Sequence, residues 1–591
     1  MKVQVSELIV KYMERLGIDT IFGMPGAHIL PVYDSLYDSP IQSVLAKHEQ
    51  GAAFMACGYN RASGNIGACI ATAGPGATNP ITGIANAYVD QQPILIITGE
   101  TPTYIFGKGG LQESSGEGGS INQTALFDSI TRYSRVIERT DYLANVLNQS
   151  SKILLSDTPG PVLLSLPFNV QKEMVELDIL DTILTTRNTH KHTHKNRLID
   201  NIRSPDEQKI SQLVELLRNC KQPVIVSGYG SIKSGAQASI SELSQSLNIP
   251  VTSSLKGKGS INECSALSLG SLGVTSSGYA YNYIVNRSDL VIVLGASFNE
   301  RTSYLWNDDL LGNKCVVQVD INDDQLNKVY HADLTINADI NLTLGRVMQL
   351  LKESPTGKKQ LEDITAFKND IETKAENEGN LIFQAGFSLV KKFFESMNHH
   401  FPEGMTVFDD NIIFAQNLLQ VSVNNRFYPN SGVSSLGHAI PAAIGAQFAG
   451  HNRSQGSDQG SDQSSDQSSS QESEPGVMFA IIGDGGFQMC CMEIMTAVNY
   501  DKPLNIVLFN NSSMGLIRKN QVQSYNNRFI DCDFSNPDYK KLAESFGINH
   551  IPINNEADID TLFETADFQD AINLIEIVID KNAFPNYSSR R

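Results

Sequence analysis

The sequence predicts an α/β protein made of three doubly wound parallel-sheet domains. Three observations predict it. Short apolar runs end in Gly- or Asn-rich turns, amphipathic helical stretches separate them, and the pattern recurs in three blocks along the 591 residues. A prior of roughly 150 residues per domain accommodates three or four units.

The first block covers residues 1–170. It opens with a helix over Ser6–Gly17, whose apolar face is Leu8, Ile9, Tyr12, Met13 and Leu16, with Ser6 as the expected cap and Gly17 as the stop. Strands follow at Ile66–Ala71, Pro93–Thr98 and Val162–Leu166. Between the first two of these runs the Gly-rich segment Thr72–Asn79. A polar linker is expected over 171–207; it contains Thr189-His-Lys-His-Thr-His194, which reads as solvated chain because no carboxylate or Cys ligand accompanies the three His. The second block, 208–350, has strands at Pro223–Ser227, Leu290–Leu294 and Cys315–Asp320. The third, 380–591, has a helix over His438–Ala449 and strands at Val477–Ile482, Leu504–Phe509 and Asn573–Ile579. Within it, 452–476 is a Ser/Gln/Asp-rich tract with nothing to pack, expected as a disordered insertion on a surface connection.

Composition narrows the function classes. With 45 Lys and Arg against 64 Asp and Glu the formal charge is −19, and no basic block occurs, which argues against nucleic acid and anionic membranes as partners. No apolar run approaches the ~20 residues of a membrane span, and the folded N-terminal helix does not have the shape of a signal peptide. Eight scattered Cys without a CxxC pair predict buried free thiols in a reducing compartment, hence the cytoplasm.

The strongest chemical signal is Gly483-Asp484-Gly485 at the end of one expected strand, followed after 24 residues by Asn510-Asn511 at the end of the next. Parallel neighbours would bring the two tips together. The glycines let backbone N–H groups approach a diphosphate, and the helix that follows offers its positive end. Asp484 and the Asn511 side-chain oxygen are hard ligands suited to Mg²⁺. This is the fingerprint of a thiamine diphosphate site. A second element is Lys47-His-Glu-Gln-Gly-Ala-Ala53, in which Glu49 opens a small-residue helix over Gly51–Gly58. An unpaired carboxylate there is costly to bury, so Glu49 is read as chemical. In thiamine chemistry a carboxyl group bonded to the aminopyrimidine ring promotes the imino tautomer that activates the thiazolium carbon.

These segments resemble the acetolactate (acetohydroxyacid) synthase branch of the thiamine diphosphate enzymes. The likeness is carried by Phe22-Gly-Met-Pro-Gly26, Lys47–Ala53, Ala71-Thr-Ala-Gly-Pro-Gly-Ala-Thr-Asn79, Gly437–Gln447, Gly483–Gln488 and Asn510–Arg518, and it extends over the chain apart from 171–207 and 452–476. The resemblance implies a pyrimidine-binding first domain, a nucleotide-binding-like middle domain and a diphosphate-binding third domain. It implies active sites shared between the first domain of one subunit and the third of another, so a homodimer or homotetramer, with a small regulatory subunit as a further partner. By position it makes Glu49 the activating carboxylate and places the metal on Asp484, Asn511 and the Ser513 carbonyl. Leu436 becomes the residue that bends the cofactor and the Ser434 carbonyl the acceptor of its amino group. Gly485, Gly486, Met514, Gly515 and Leu516 line the diphosphate. Gln112 falls close to the reacting centre, and His28, in a Gly-Ala-His segment like that of benzaldehyde lyase-like members, is either a proton shuttle or a structural histidine. In the middle domain Gly228, Gly230, Arg301, Asp320 and Asp339 match positions that in relatives contact FAD or ADP, or surround an empty pocket.

Two departures stand out. Ser297 replaces the Arg with which the synthases grip the carboxylate of the incoming 2-ketoacid, and Asn520 replaces a Trp; the one Trp of the chain is Trp306. Glu113–Gly119 is also unlike the synthases, and Arg518 or Lys519 is a candidate replacement cation. The expected function is therefore a carboligase that decarboxylates pyruvate or a related 2-ketoacid and transfers the carbanion to a carbonyl acceptor. The alternative is a 2-ketoacid decarboxylase or C–C lyase or hydrolase; a non-catalytic regulatory homologue ranks third, because Glu49, Asp484 and Asn511 are all present.

Overall fold

The structure, a computed structural model, describes residues 1–183, 203–449 and 476–587. The His-containing stretch 189–194, most of the expected linker, and all but the last residue of the 452–476 insertion lie outside the described residues. Each of the nine expected strands is present, and each belongs to one of three six-stranded, all-parallel sheets.

Strand β1 (Lys2–Gln4) leads into a helix over Val5–Arg15. Here the structure corrects the expected cap. Gln4 occupies the N-cap without a side-chain bond, while Ser6 is buried in the first turn, where it accepts from the Ser35 hydroxyl at 3.0 Å. Gly17 does end the helix, with φ of 76°. The first sheet is built from β2 (Thr20–Gly23), β3 (Gln42–Leu45), β4 (Gly67–Ala71), β5 (Ile94–Glu100), β6 (Tyr133–Val136) and β7 (Val162–Pro167), in the order β3-β2-β4-β5-β7-β6. Beyond it, β8 (Met174–Glu176) pairs antiparallel with β1, and Leu180 and Ile183 are buried in the same core. The start of the expected linker is thus part of the first domain.

The middle sheet comprises β9 (Pro223–Ser227), β10 (Val251–Ser253), β11 (Ser268–Ser271), β12 (Leu290–Leu294), β13 (Cys315–Val319) and β14 (Leu334–Ile336), ordered β11-β10-β9-β12-β13-β14. The third comprises β15 (Met405–Asp409), β16 (Arg426–Pro429), β17 (Val477–Gly483), β18 (Leu504–Asn510), β19 (Asn549–Ile553) and β20 (Ile572–Val578), ordered β16-β15-β17-β18-β20-β19. Central strands such as β5, β9 and β17 are almost wholly buried, as expected when helices cover both faces. Each sheet has a central reversal of strand order, between β2 and β4, between β9 and β12, and between β15 and β17. Ligands of such sheets sit in the crevice beyond the strand ends at that reversal.

The first and third domains share a core. The helix Glu49–Ser63 lies against the helix Ala439–Ala446, and Phe22, Ala53 and Tyr59 belong to one buried cluster with Ala442, Phe448 and Phe487. Asp90 pairs with Arg61 of its own domain and with Lys256 of the middle domain, while the Tyr428 hydroxyl donates to the Arg61 carbonyl at 2.8 Å. All three domains therefore meet around the buried Asp90–Arg61 pair. Among the described residues no helix is long and apolar enough to cross a membrane.

His438 sits in the same interface, fully buried, with neither ring nitrogen hydrogen-bonded and its ring edge-on to Phe54 at 5.1 Å. Burial, helped by Arg61, pushes its pKa down to about 3. Below the ordinary histidine range the unfolded chain takes up a proton that the folded chain refuses, so this group removes stability as pH falls from about 6.5 towards 3. Going from pH 7 to pH 5, the wild type should lose about 2 kcal/mol relative to a His438→Phe variant. Urea unfolding of both proteins at the two pH values checks this; a constant difference contradicts it.

Candidate active site

The geometry gathers around the reversal points of the first and third sheets. In the third, the register pairs Gly483 of β17 with Phe509 of β18, so the Gly-Asp-Gly and Asn-Asn tips are neighbours. Asp484 joins them. Its Oδ2 accepts from the backbone N–H of Asn511 at 3.1 Å and of Ser512 at 2.6 Å, and its Oδ1 accepts from Gly485 N–H at 3.0 Å. Burial pushes this carboxyl up, and the amide donors around it draw it back towards the ionised form. Asn511 Oδ1 accepts from Ser513 N–H at 3.1 Å, which folds the loop so that residues 511–513 return beside Asp484. Ser512 takes φ of 51° in that turn. The Ser513 hydroxyl and the Met514 N–H are tied to the Cys532 carbonyl, and the Met514 sulfur lies over Gly485. Gly515 opens the helix Gly515–Ser524 and lies beside the Asn511 amide, with the half-buried Leu516 next in that helix. Gly486 follows in the helix Asp484–Cys490.

One carboxylate, one amide oxygen and one backbone carbonyl on adjoining turns make a hard, oxygen-only donor set. It suits a Mg²⁺ ion that keeps its remaining positions for phosphate oxygens and water. The described residues hold no group of three or more His, Cys, Asp or Glu suited to a metal, so a multi-carboxylate or thiolate centre is not what this loop resembles.

Two residues that sequence reasoning missed complete the third-domain crevice. Asn536 donates from one amide nitrogen to Asp484 Oδ2 at 2.9 Å and Asn510 Oδ1 at 2.7 Å, locking both tips. Asp410, just past β15, accepts from Gly437 N–H at 2.7 Å and His438 N–H at 3.2 Å, and Gly486 packs directly on its carboxylate. It thereby sets the segment before the helix Ala439–Ala446. In that segment Ser434 has φ of 60°, its carbonyl accepts weakly from Asn411 at 3.5 Å, and Leu436 is half-buried.

In the first sheet, Glu49 is the first residue of its helix, and that helix runs on to Ser63, past the expected Gly58. His48 caps it by accepting the Gln50 N–H on Nδ1 at 3.1 Å. Asn79 donates to Glu49 Oε2 at 2.8 Å, leaving Oε1 near Gly76. The Gly-rich loop after β4 thus wraps the carboxylate. The same mouth holds His28 and Gln112, whose Nδ1 and Oε1 atoms are 3.3 Å apart. The His28 backbone is fixed by Thr72 and Gln171, and Gln112 takes φ of 59° against Gly74. With Nδ1 donating to Gln112, the other His28 nitrogen is an acceptor, the arrangement a proton carrier needs.

The middle-domain residues are not gathered in this way. A narrow cleft does lie at the β9/β12 reversal and takes in Ser297, Arg301 and the third domain's Gln416 and Ser431. Of the five expected flavin contacts only Arg301 lines it. Gly228 and Gly230 face Gly295, whose backbone would collide with any side chain there. Asp320 turns the chain by accepting from Asn322 N–H at 2.9 Å, and Asp339 caps the helix Ile340–Glu353 through Leu342 N–H. These four residues have structural partners and do not line the cleft. The two candidate replacement cations are also engaged: Arg518 pairs with Asp533 at 2.8 Å, and Lys519 donates to the Tyr587 carbonyl at 2.6 Å.

Comparison with known proteins agrees with this geometry. Residues 3–119 match the model of the thiamine pyrophosphate enzyme N-terminal TPP binding domain, 210–347 that of the central domain, and 411–577 that of the C-terminal TPP binding domain. The probable acetolactate synthase large subunit of Methanococcus aeolicus is 30% identical, over 98% of this chain and 92% of its own length. The acetolactate synthase large subunit of Cyanidium caldarium is 30% identical over 98% and 93%. Acetolactate synthase isozyme 2 large subunit of Escherichia coli K12 is 28% identical over 98% and 96%.

Proposed function

The chain belongs to the thiamine pyrophosphate enzyme family, and from that premise we propose that it is an acetolactate synthase-like carboligase, which decarboxylates pyruvate or a related 2-ketoacid and joins the resulting two-carbon unit to a carbonyl acceptor. The observation that carries the reading is Asp484 binding both strand tips, since that single carboxylate builds the diphosphate and metal cradle. Thiamine diphosphate supplies the electron sink when bound. The protein's residues supply the rest. Asp484, Asn511 and the Ser513 carbonyl would hold Mg²⁺. Glu49, oriented by Asn79, would bond the cofactor's ring nitrogen, the Ser434 carbonyl would take its amino group and Leu436 would set its bent shape. His28 and Gln112 hold or move a proton at the mouth. A transferase, rather than a lyase, follows from the relatives' shared reaction type.

Ser297 leaves the acceptor's carboxylate without the Arg that the resemblance supplies. Arg301, which lines the same cleft as Ser297, Gln416 and Ser431, is the cation placed to take that role. A small regulatory subunit is the partner that the relatives' designation as large subunits suggests.

We also propose that the working unit is a dimer with Glu49 and Asp484 of each site on different chains. At a cofactor concentration too low to load Asp484→Asn, a mixture of Glu49→Ala and Asp484→Asn chains should then recover about one quarter of wild-type activity, because half the random dimers carry one intact site of two. No recovery after subunit exchange places both residues in one chain. The function itself is tested by identifying the products from pyruvate with and without an added aldehyde. Acetolactate, or a mixed hydroxyketone when aldehyde is present, is expected; acetaldehyde alone under both conditions overturns the carboligase reading.

A further inference from the structure

Glu493 has no part in the site described above, yet it is a buried carboxylate of the third domain turned into the first. Its Oε1 accepts from Lys47 N–H at 3.1 Å and from His48 N–H at 2.9 Å, and its Oε2 lies 3.2 Å from Lys47 N. Thr496 donates its hydroxyl to Oε2 at 2.9 Å, which completes the carboxylate's partners. Only 3% of Glu493 is exposed. The side chain comes so close that any Cβ on Gly51 would lie 2.2 Å from Oε1, so a glycine is required in the first turn of the opposing helix. The two amides it holds are the ones that directly precede Glu49, and its own position is nine residues after Asp484 in the same chain.

We propose that Glu493 is a positioning residue: it clamps the start of the Glu49 helix to the segment that follows the Asp484 helix, and so sets where the activating carboxylate stands. Glu49 is the first residue of its helix and can move as that end frays; Ala46 is still tied to Gly23 of its own domain, but the amides of Lys47 and His48 between them are held by Glu493. Catalytic carboxylates are sensitive to such displacement, since a misplacement of about 1 Å costs on the order of a hundredfold in rate. The clamp also ties the two half-sites of one chain together, because any shift of the Asp484 helix is passed to the amides of Lys47 and His48. This inference rests on the thiamine reading of Glu49, and its test separates the two.

The test compares wild type with Glu493→Ala, Glu493→Gln and Gly51→Ala by two readouts. The first is backbone amide hydrogen exchange at Lys47 and His48, without any cofactor. The second is deuterium exchange at the thiazolium carbon of added thiamine diphosphate with Mg²⁺, measured beside the cofactor's affinity. Glu493→Ala should expose both amides and slow the carbon exchange by about ten- to a hundredfold, with the affinity within a few-fold of wild type. Glu493→Gln should retain most of the rate, because its amide oxygen can keep the Oε1 contacts while its NH₂ donates to the Thr496 oxygen. Gly51→Ala, which pushes the carboxylate away without deleting it, should behave like Glu493→Ala and decides the matter if that variant does not fold. Carbon exchange within twofold of wild type in folded Glu493→Ala or Gly51→Ala overturns the positioning role, as does unchanged amide protection. A wild type that does not accelerate carbon exchange at all overturns the thiamine reading instead, and the amide readout still decides the clamp.

Discussion

Replacing Glu49 with Ala is expected to lower turnover by about two to four orders of magnitude while the protein still binds thiamine diphosphate within a few-fold of wild type. The expectation follows from what Glu49 touches. Its one side-chain partner is Asn79, at 2.8 Å, so removing the carboxyl breaks no ion pair and leaves a single amide to find water. The helix keeps its cap, because His48 Nδ1 supplies it. The loss should therefore appear in kcat and in proton exchange on the bound cofactor, with little change in melting temperature. Glu49→Gln should resemble the Ala variant, since an amide cannot share the proton that the ring nitrogen exchanges. Steady-state kinetics beside calorimetric cofactor binding checks both variants. Activity within a few-fold of wild type removes Glu49 from the mechanism.

The second large effect is expected at Asp484, and it is an effect on binding. Asp484→Asn can keep an oxygen where Oδ2 now accepts from Asn511, Ser512 and Asn536, so the loop should hold its shape. What disappears is the negative charge, the strongest Mg²⁺ ligand of the set. The apparent affinity for thiamine diphosphate in the presence of Mg²⁺ should fall by about a hundredfold or more. Asn536→Ala is the milder companion: it leaves the ligand in place and removes the brace between Asp484 and Asn510. Titrating cofactor at fixed Mg²⁺ and Mg²⁺ at fixed cofactor separates the two variants. Undiminished affinity in Asp484→Asn contradicts the metal assignment.

Much of this architecture is legible in the sequence for a physical reason. Strands buried on both faces must be continuous apolar runs, so β4, β5, β9, β12 and β17 announce themselves, and a Gly-rich turn marks each tip. Short strands such as β16 and β19 carry no such run; Arg426–Pro429 and Asn549–Ile553 mix polar residues and Pro into the strand and were not expected. The proposed diphosphate cradle is legible because two signals at a set spacing, Gly483–Gly485 and Asn510–Asn511, end neighbouring strands. Asn536, Asp410 and Glu493 are single polar residues in unremarkable surroundings. What marks them is a full set of partners, joined by burial at Asp410 and Glu493, and that exists only once distant segments have met. In the middle domain the local signals are plain. Asp339 directly precedes an apolar-periodic stretch, Ile340–Leu351, the local signature of an N-cap, and Asp320 stands two residues before Asn322 as a turn-former would. These local signals account for the hydrogen bonds that both residues make. Gly228 and Gly230 are likewise explained by the backbone of Gly295 beside them.

The central claim, a two-carbon transfer to a second carbonyl compound, is tested most directly by stoichiometry. Purified protein with thiamine diphosphate, Mg²⁺ and pyruvate as sole substrate is followed for pyruvate consumed and CO₂ released. Condensation into acetolactate consumes two pyruvate molecules for each CO₂, and that ratio is the result this account predicts. One pyruvate for each CO₂, with acetaldehyde accumulating in step, would mean that the carbanion is protonated rather than transferred, and would contradict it.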